Sequence, residues 1–256
     1  MALSKIALLV PAGHRPQFIL DLAPSDMDVT WVDLAMPDDE KVPLCQDADA
    51  IIAMPPWFSA DLLRSCPKVK LVQTLTSGYN RLDIEGIMDL GFPVANNAGV
   101  NAATMAEHTV GVMIAVCRKL VEMHNHAKSG QWQGSLDSSQ LVEINGKVVG
   151  IVGLGFTGRE VARRLKGFNV RIIYHTRSEV ERSVEEELNA ESTSLEMLLR
   201  ESDIVTLHTP LTPLTRGMIG AEQLALMKPT SFLINTSRGP VIDQGALYDV
   251  LKSGKI

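Results

Sequence analysis

The sequence predicts an α/β protein made of two open, doubly wound parallel sheets. Short apolar runs alternate with helical stretches in both halves of the chain, as in parallel sheets with helical crossovers. In the first half the predicted strands are Lys5 to Pro11, Val29 to Leu34, Ala48 to Met54, Val69 to Thr74 and Phe92 to Ala95. In the second half they are 148–153, 170–175, 203–208 and 231–236, with a short one near Ser192.

A βαβ unit in the second half carries the turn Gly153-Leu154-Gly155-Phe156-Thr157-Gly158 between its first strand and an amphipathic helix, 159–168. Gly153 permits a tight turn, Gly155 lets the backbone approach a pyrophosphate, and Gly158 lets the helix pack closely on the strand. The phosphates would meet free N–H groups and the positive end of the helix. The pattern therefore predicts a dinucleotide site of Rossmann type that includes Phe156 and Thr157. A strand-turn-helix without a ligand is the alternative.

The second strand of this unit ends in His175-Thr176-Arg177-Ser178. A site that prefers NAD has an acidic residue here, which binds the ribose 2′-hydroxyl. No carboxylate stands in this stretch, whereas Arg177 could pair with a 2′-phosphate and Thr176 and Ser178 could donate hydrogen bonds to it. The sequence therefore favours NADP over NAD. An ordinary polar loop with a solvated arginine is the alternative.

Composition narrows the class of protein. With 256 residues, 45% of them hydrophobic, and a formal net charge of −6, the chain is long enough for a substantial core. No basic cluster favours nucleic acid, so we expect a small-molecule partner.

The apolar start is too short for a membrane span and is better explained as a first strand. Three scattered cysteines, Cys45, Cys66 and Cys117, suggest neither a disulfide framework nor a zinc site, and we expect a cytoplasmic protein without a metal.

A long apolar helix is predicted from Asn101, as its cap, to about Met123. Because its apolar residues leave little polar face, we expect it to lie at the junction of two domains. Towards 124–133 we expect a subunit contact. The stretch 129–140, which contains Trp132, is expected to be an excursion from the core. Together these features predict a homodimer.

Four stretches resemble the family of D-isomer-specific 2-hydroxyacid dehydrogenases, which includes glyoxylate and hydroxypyruvate reductases. They are Thr76-Ser77-Gly78-Tyr79-Asn80-Arg81-Leu82-Asp83, then Asn97-Ala98-Gly99-Val100-Asn101 leading to Ala106-Glu107-His108, then the glycine turn, and finally Leu207-His208-Thr209-Pro210-Leu211-Thr212 with Asn235-Thr236-Ser237-Arg238-Gly239. They span nearly the whole chain in the family's order. A small departure is Ala98, where proline is frequent.

The resemblance implies a flavodoxin-like substrate-binding domain at 1–98 and an NAD(P)-binding Rossmann domain at 99–256, joined by the long helix. It implies that Arg238 binds the substrate carboxylate and polarises its keto oxygen, and that backbone N–H groups of Ser77 and Gly78 hold the carboxylate. Further cofactor contacts are expected at Thr104, His208, Thr209, Pro210, Thr215, Thr236, Ser237 and Arg238.

In the family a glutamate and a Pro-His segment supply the acid and base, and both lie beyond the stretch in which this sequence ends. We therefore expect the chain to be incomplete at its C-terminus, and weakly active or inactive as it stands. Of the six histidines, His208 is the one expected near the nicotinamide. The alternatives to such an oxidoreductase are a non-catalytic NADP-binding sensor or interaction protein, and a structural fragment that binds no nucleotide.

Overall fold

The computed structural model describes residues 4–14, 16–55, 58–131 and 138–255. The chain divides into two compact units, Met1–Val100 and Asn101–Ile256. Each unit contains its own five-stranded sheet in which all paired strands are parallel. The predicted α/β fold class with two parallel sheets is therefore confirmed.

The first unit has the strand order β2-β1-β3-β4-β5. Its strands are β1 (Ser4–Leu9), β2 (Met27–Val32), β3 (Ala50–Ala53), β4 (Leu71–Thr74) and β5 (Val94–Ala95). Its helices are α1 (Pro16–Asp21), α2 (Asp38–Cys45), α3 (Asp61–Arg64) and α4 (Ile84–Asp89). The central strands are apolar because helices cover both faces of such a sheet, and Leu9, Ile51 and Val72 are fully buried.

The second unit has the order β10-β9-β6-β7-β8. Its strands are β6 (Val148–Val152), β7 (Arg171–His175), β8 (Ala190–Ser192), β9 (Ile204–Leu207) and β10 (Phe232–Asn235). Its helices are α5 (Ala102–Cys117), α6 (Leu120–Lys128), α7 (Phe156–Leu165), α8 (Arg182–Leu188), α9 (Leu195–Glu201), α10 (Ala221–Leu226) and α11 (Gln244–Lys252). Every predicted strand is present, with ends that differ by at most two residues. None of the described helices is both long enough and apolar enough to cross a membrane.

Helix α7 follows the glycine turn as the amphipathic pattern predicts. Val161, Ala162 and Leu165 are fully buried. This stripe packs against α5, whose buried face includes Ala106, Val110 and Met113. The helix ends in a short 3-10 turn, Lys166–Phe168, and Asn169 then takes a left-handed conformation with φ of 52°. The βαβ unit therefore has the order that the sequence predicts.

The prediction of one helix from Asn101 to Met123 is wrong. Helix α5 ends at Cys117, Lys119 is left-handed with φ of 49°, and α6 begins at Leu120. The break has a physical cause, because the Cys117 carbonyl accepts the Val142 N–H at 2.9 Å instead of continuing the helical ladder. Asn101 stands at the N-cap position, but its side chain makes no capping hydrogen bond. Within the predicted excursion 129–140, residues 132–137 lie outside the described chain, Trp132 among them.

Candidate functional site

Four loops that the sequence singled out lie at one edge of the second unit's sheet. The glycine turn follows β6, residues 175–178 end and follow β7, residues 208–210 follow β9, and residues 236–238 follow β10. The four strands are neighbours in a parallel sheet, so their carboxyl ends share one edge. Open α/β sheets bind ligands at this edge.

The glycine turn requires glycine at two positions. Gly153 has φ of 99°, and a Cβ there would lie 2.8 Å from the backbone oxygen of His208. A Cβ on Gly158 would collide with the backbone oxygen of Gly153, so a side chain would force α7 away from β6. The Gly153 N–H donates to the His175 carbonyl at 2.8 Å, which ties the turn to β7. The turn is therefore fixed by tight backbone contacts.

The space above the turn is open. A Cβ added to Gly155 would meet nothing within 4 Å, although Gly155 is the N-cap of α7. The first N–H groups of α7 have no acceptor among the described residues, and together with the helix dipole they favour an anion. The Thr209 hydroxyl is buried without a hydrogen-bond partner in the described chain, and its methyl group lies beside Gly153. The residues present therefore fit a dinucleotide pyrophosphate, with Thr209 ready to form a hydrogen bond with it.

His208 lies next to this turn and is half-buried. Its N–H donates to the Val152 carbonyl at 2.8 Å, and its Nε2 lies 3.0 Å from the Thr206 hydroxyl oxygen. Burial disfavours the charged ring and lowers the pKa of His208 to about 4. The imidazole is therefore neutral near pH 7.

The end of β7 carries no carboxylate. His175 Nδ1 lies 3.1 Å from the Thr193 carbonyl oxygen. Because a carbonyl oxygen only accepts hydrogen bonds, the proton of this contact is on Nδ1 rather than on Nε2. Thr176 is half-buried, whereas Arg177 and Ser178 are exposed. Arg177 forms no ion pair with any described residue, in contrast to Arg171, which pairs with Glu191 and Glu201. The Arg177 guanidinium is therefore accessible to an anionic ligand.

The loop after β10 is held by Asn235. Its Oδ1 accepts the Ser237 N–H at 3.0 Å and the Ser237 hydroxyl at 2.8 Å, and its Nδ2 donates to the Arg238 carbonyl at 3.0 Å. The exposed Arg238 side chain donates from Nη1 to the Ser237 carbonyl at 2.8 Å. The backbone that presents Arg238 is thus fixed on both sides by one amide group, which the sequence analysis did not identify.

Thr109 is a second residue that sequence reasoning missed. It is fully buried on α5, and its hydroxyl lies 2.7 Å from the Met105 carbonyl and 2.9 Å from the Thr236 hydroxyl. Because Thr109 donates its proton to the carbonyl, it accepts the proton of Thr236, whose lone pairs remain available. A threonine inside an otherwise apolar helical stripe is the signal that could have found it.

The remaining predicted cofactor and substrate contacts are Thr104, Thr215, Ser77 and Gly78, and they differ in exposure and hydrogen bonding. Thr104 is exposed on the first turn of α5. The Thr215 hydroxyl donates to the Pro210 carbonyl at 2.5 Å and accepts the Thr212 N–H at 2.8 Å, so it closes the loop after β9. Ser77 and Gly78 lie in the loop after β4 of the first unit, half-buried, and their N–H groups have no acceptor among the described residues.

Comparisons with known proteins agree with this architecture. Residues 110–256 match the model for the D-isomer specific 2-hydroxyacid dehydrogenase, NAD binding domain. A glyoxylate reductase from Aeropyrum pernix is 41% identical over 217 residues, which cover 82% of this chain and 64% of that protein. This chain therefore spans slightly less than two thirds of that relative's length.

Two solved structures extend the likeness. An acyclic imino acid reductase in complex with NADPH and D-Arg matches with a TM-score of 0.84 and 25% identity, over 98% of this chain and 80% of that one. A D-lactate dehydrogenase from Aquifex aeolicus complexed with NAD and lactic acid matches with a TM-score of 0.82 and 28% identity, over 98% and 74%. From its fold, its glycine turn and the matched family model, the chain belongs to the D-isomer-specific 2-hydroxyacid dehydrogenase family.

Proposed function

We propose that the chain carries the cofactor-binding and substrate-orienting part of an oxidoreductase that interconverts a D-2-hydroxyacid and a 2-oxoacid of the glyoxylate or hydroxypyruvate type. The observation that carries this proposal is Arg238, which a fixed loop presents at the same sheet edge as the glycine turn. The name of the Aeropyrum pernix relative, glyoxylate reductase, supports the substrate class.

Arg238 has the chemistry that a 2-oxoacid requires. Its guanidinium stays charged at any working pH, and its planar fork matches two oxygens of the substrate. When bound, a nicotinamide dinucleotide supplies or accepts the hydride. Arg238 stabilises the negative charge that develops on the carbonyl oxygen. The Ser77 and Gly78 N–H groups would bind the carboxylate.

The proton must come from another group. His208 is poorly suited because its ring is neutral near pH 7 and is engaged by Thr206. The family's glutamate and Pro-His segment are not among these 256 residues. General acid catalysis typically contributes about 10²–10⁴ in rate. A polypeptide of these residues alone should therefore bind the cofactor but reduce 2-oxoacids very slowly.

A steady-state assay tests the function. NADPH oxidation with glyoxylate should be near background for the 256-residue polypeptide. A longer chain that includes the family's glutamate and Pro-His segment should approach an ordinary enzyme rate, on the order of 10 s⁻¹. In that longer chain Arg238→Lys, which keeps the charge but loses the fork, should lower the rate. Cofactor binding without turnover in the longer chain would instead favour the non-catalytic sensor.

We further propose that NADP(H) is preferred over NAD(H). The support is the accessible guanidinium of Arg177 in the stretch 175–178, which contains no carboxylate that would repel a 2′-phosphate. A charge-assisted contact of this kind contributes about 1.5–3 kcal/mol. Fluorescence titration of the parent should therefore show NADPH bound more than tenfold more tightly than NADH.

Arg177→Ala should remove most of that difference by weakening NADPH and leaving NADH nearly unchanged. Arg182→Ala is a matched control, because Arg182 is exposed on α8 and pairs with Glu186. Equal affinities for the two cofactors in the parent would refute the preference.

We also propose a cytoplasmic homodimer. None of the three cysteines forms a disulfide, as is usual in a reducing compartment. The end of α5 and α6 expose an apolar face, in which Val121 is 68% exposed and Leu120 is 45% exposed. Light scattering at micromolar concentration should show a dimer, and Val121→Glu should shift it towards monomer. A strictly monomeric parent would contradict this proposal.

A further inference from the structure

Side chains satisfy the carbonyl groups of the loop that follows β4. The Thr74 hydroxyl donates to the Thr76 carbonyl at 2.7 Å, and the Thr76 hydroxyl donates to the Gly78 carbonyl at 2.8 Å. The Asn96 Nδ2 donates to the Ser77 carbonyl at 2.8 Å from the segment after β5. Three successive carbonyls, those of residues 76, 77 and 78, therefore each accept a side-chain hydrogen bond.

The N–H groups of the same loop, unlike its carbonyl groups, lack hydrogen-bond partners among the described residues. Those of Thr76, Ser77 and Gly78 have no acceptor among the described residues, although the neighbouring Leu75 N–H donates to the Ala53 carbonyl at 2.8 Å. In an ordinary tight turn one of these N–H groups would bond to a carbonyl three residues earlier. At the Ser77 and Gly78 carbonyls side-chain donors replace the backbone donors, and the Thr76 carbonyl also accepts the Asn97 N–H at 3.3 Å from outside the loop. The N–H groups of residues 76–78 therefore stay available.

This exchange of donors has a clear physical effect. A half-buried carbonyl that lacks a donor is costly, so the loop would rotate its peptide groups to satisfy it with a nearby N–H. Thr74 is fully buried and fixes the start of the loop, while Asn96 holds the middle from another segment. Successive N–H groups that remain unpaired in such a loop form a site for an anion.

We propose that Thr74, Thr76 and Asn96 are positioning residues that keep the N–H groups of residues 76–78 available for the carboxylate of the substrate. This inference rests on the proposed function, in which Ser77 and Gly78 bind that carboxylate. The three side chains act through the backbone and do not contact the substrate. They determine how tightly the loop binds a 2-oxoacid, and they leave the affinity of the second unit for its cofactor unchanged.

An NMR titration tests the inference without requiring turnover. Oxalate serves as the probe, added at saturating NADPH to ¹⁵N-labelled protein while the amide signals of Ser77 and Gly78 are followed. In the parent both signals should shift with a saturable dependence on oxalate. Thr76→Val and Asn96→Asp have nearly the same shape as the native side chains but cannot donate, and each should weaken oxalate binding about five- to tenfold, the effect of one lost hydrogen bond.

The controls separate positioning from folding. Thr76→Ser keeps the hydroxyl and should bind oxalate within about twofold of the parent, since the lost methyl group makes no hydrogen bond. Asn97→Asp introduces the same charge one residue away at a side chain with no hydrogen bond in the described chain, and it too should resemble the parent. All four variants should retain the parent's NADPH affinity and a dispersed amide spectrum. If one of the two test variants fails to fold, the other still decides the question.

Each outcome has a distinct meaning. Parent-like oxalate affinity in Thr76→Val or Asn96→Asp would overturn the positioning role and leave the proposed function standing. Weakening in Asn97→Asp equal to that in Asn96→Asp would also overturn it, because charge alone would then explain the effect. If Ser77 and Gly78 do not respond to oxalate in the parent, the inference fails together with the substrate part of the proposed function. Intact NADPH binding in that case would preserve the cofactor part.

Discussion

At the residue scale, His208 shows how surroundings determine the chemistry of a side chain. Its position after β9 is where the sequence predicts a contact with the nicotinamide. Burial lowers the pKa of His208 to about 4, and Thr206 occupies its Nε2. An imidazole that is neutral near pH 7 and already hydrogen-bonded is poorly suited to act as an acid. His208 instead packs its backbone against the glycine turn at Gly153.

The depressed pKa of His208 predicts a dependence of stability on pH. The unfolded chain takes up a proton near pH 6.5, whereas the folded chain does so only near pH 4. Stability from this group is therefore present above pH 6.5 and is lost as the pH falls from 6.5 to 4, by about 2–4 kcal/mol in total. Urea unfolding of the parent and of His208→Gln should give curves whose difference changes over this interval.

The exposed His124 supplies the control for that experiment. His124→Gln makes the same substitution at an exposed site on α6 and should change the free energy of unfolding by less than about 0.5 kcal/mol. If the parent and His208→Gln lose stability in parallel between pH 6.5 and 4, the conclusion that the folded chain holds His208 as a neutral ring would be wrong.

At the element scale, two glycines of one turn have different tasks. Gly158 lets α7 approach β6, and a methyl group there would collide with the Gly153 carbonyl. Gly155 faces open space, has φ of −80°, and would accept a methyl group without strain. One of these glycines therefore serves the fold, and the other leaves room for a ligand.

Alanine substitutions should separate these two tasks. Gly158→Ala should lower the free energy of unfolding by about 1–3 kcal/mol through overpacking. Gly155→Ala should change stability by less than about 0.5 kcal/mol, as expected where no contact is altered. Its NADPH affinity should nevertheless fall, because the methyl group lies where the pyrophosphate would approach. Urea unfolding and fluorescence titration measure the two effects, and unchanged NADPH affinity in a stable Gly155→Ala would contradict the assigned ligand position.

At the scale of the whole molecule, the three thiols report on the two compact units. Cys45 and Cys66 are fully buried in the core of the first unit, and Cys117 is 1% exposed in the second. A buried thiol reacts only when its surroundings open.

Thiol labelling should therefore follow unfolding. In the native protein at pH 8, iodoacetamide should label none of the three cysteines within minutes, and in concentrated urea it should label all of them. Mass spectrometry along a urea series should show Cys45 and Cys66 becoming reactive together, since they share one core, while Cys117 follows the stability of its own unit. Rapid labelling of any cysteine in the native state would show that its burial is incorrect.

The ten described strands could be predicted from the sequence, but the end of the helix that follows Asn101 could not. Apolar runs bounded by turns depend on local composition, which the sequence contains in full. The end of α5 depends instead on a hydrogen bond from Val142 to the Cys117 carbonyl, between residues 25 positions apart. The apolar pattern continues through Leu120 and Val121, so nothing local marks the break.

The sequence by itself determined the fold class, the glycine turn and the family, because period, composition and short motifs are local properties. It also placed Arg238 and Arg177 at strand ends. Only the tertiary structure showed that Thr109 meets Thr236, that Asn96 satisfies the carbonyl of Ser77, and that His208 is held neutral. These properties depend on which distant groups become neighbours and how much water they lose. Packing alone decides both, because hydrogen-bond partners and burial are set by the folded chain.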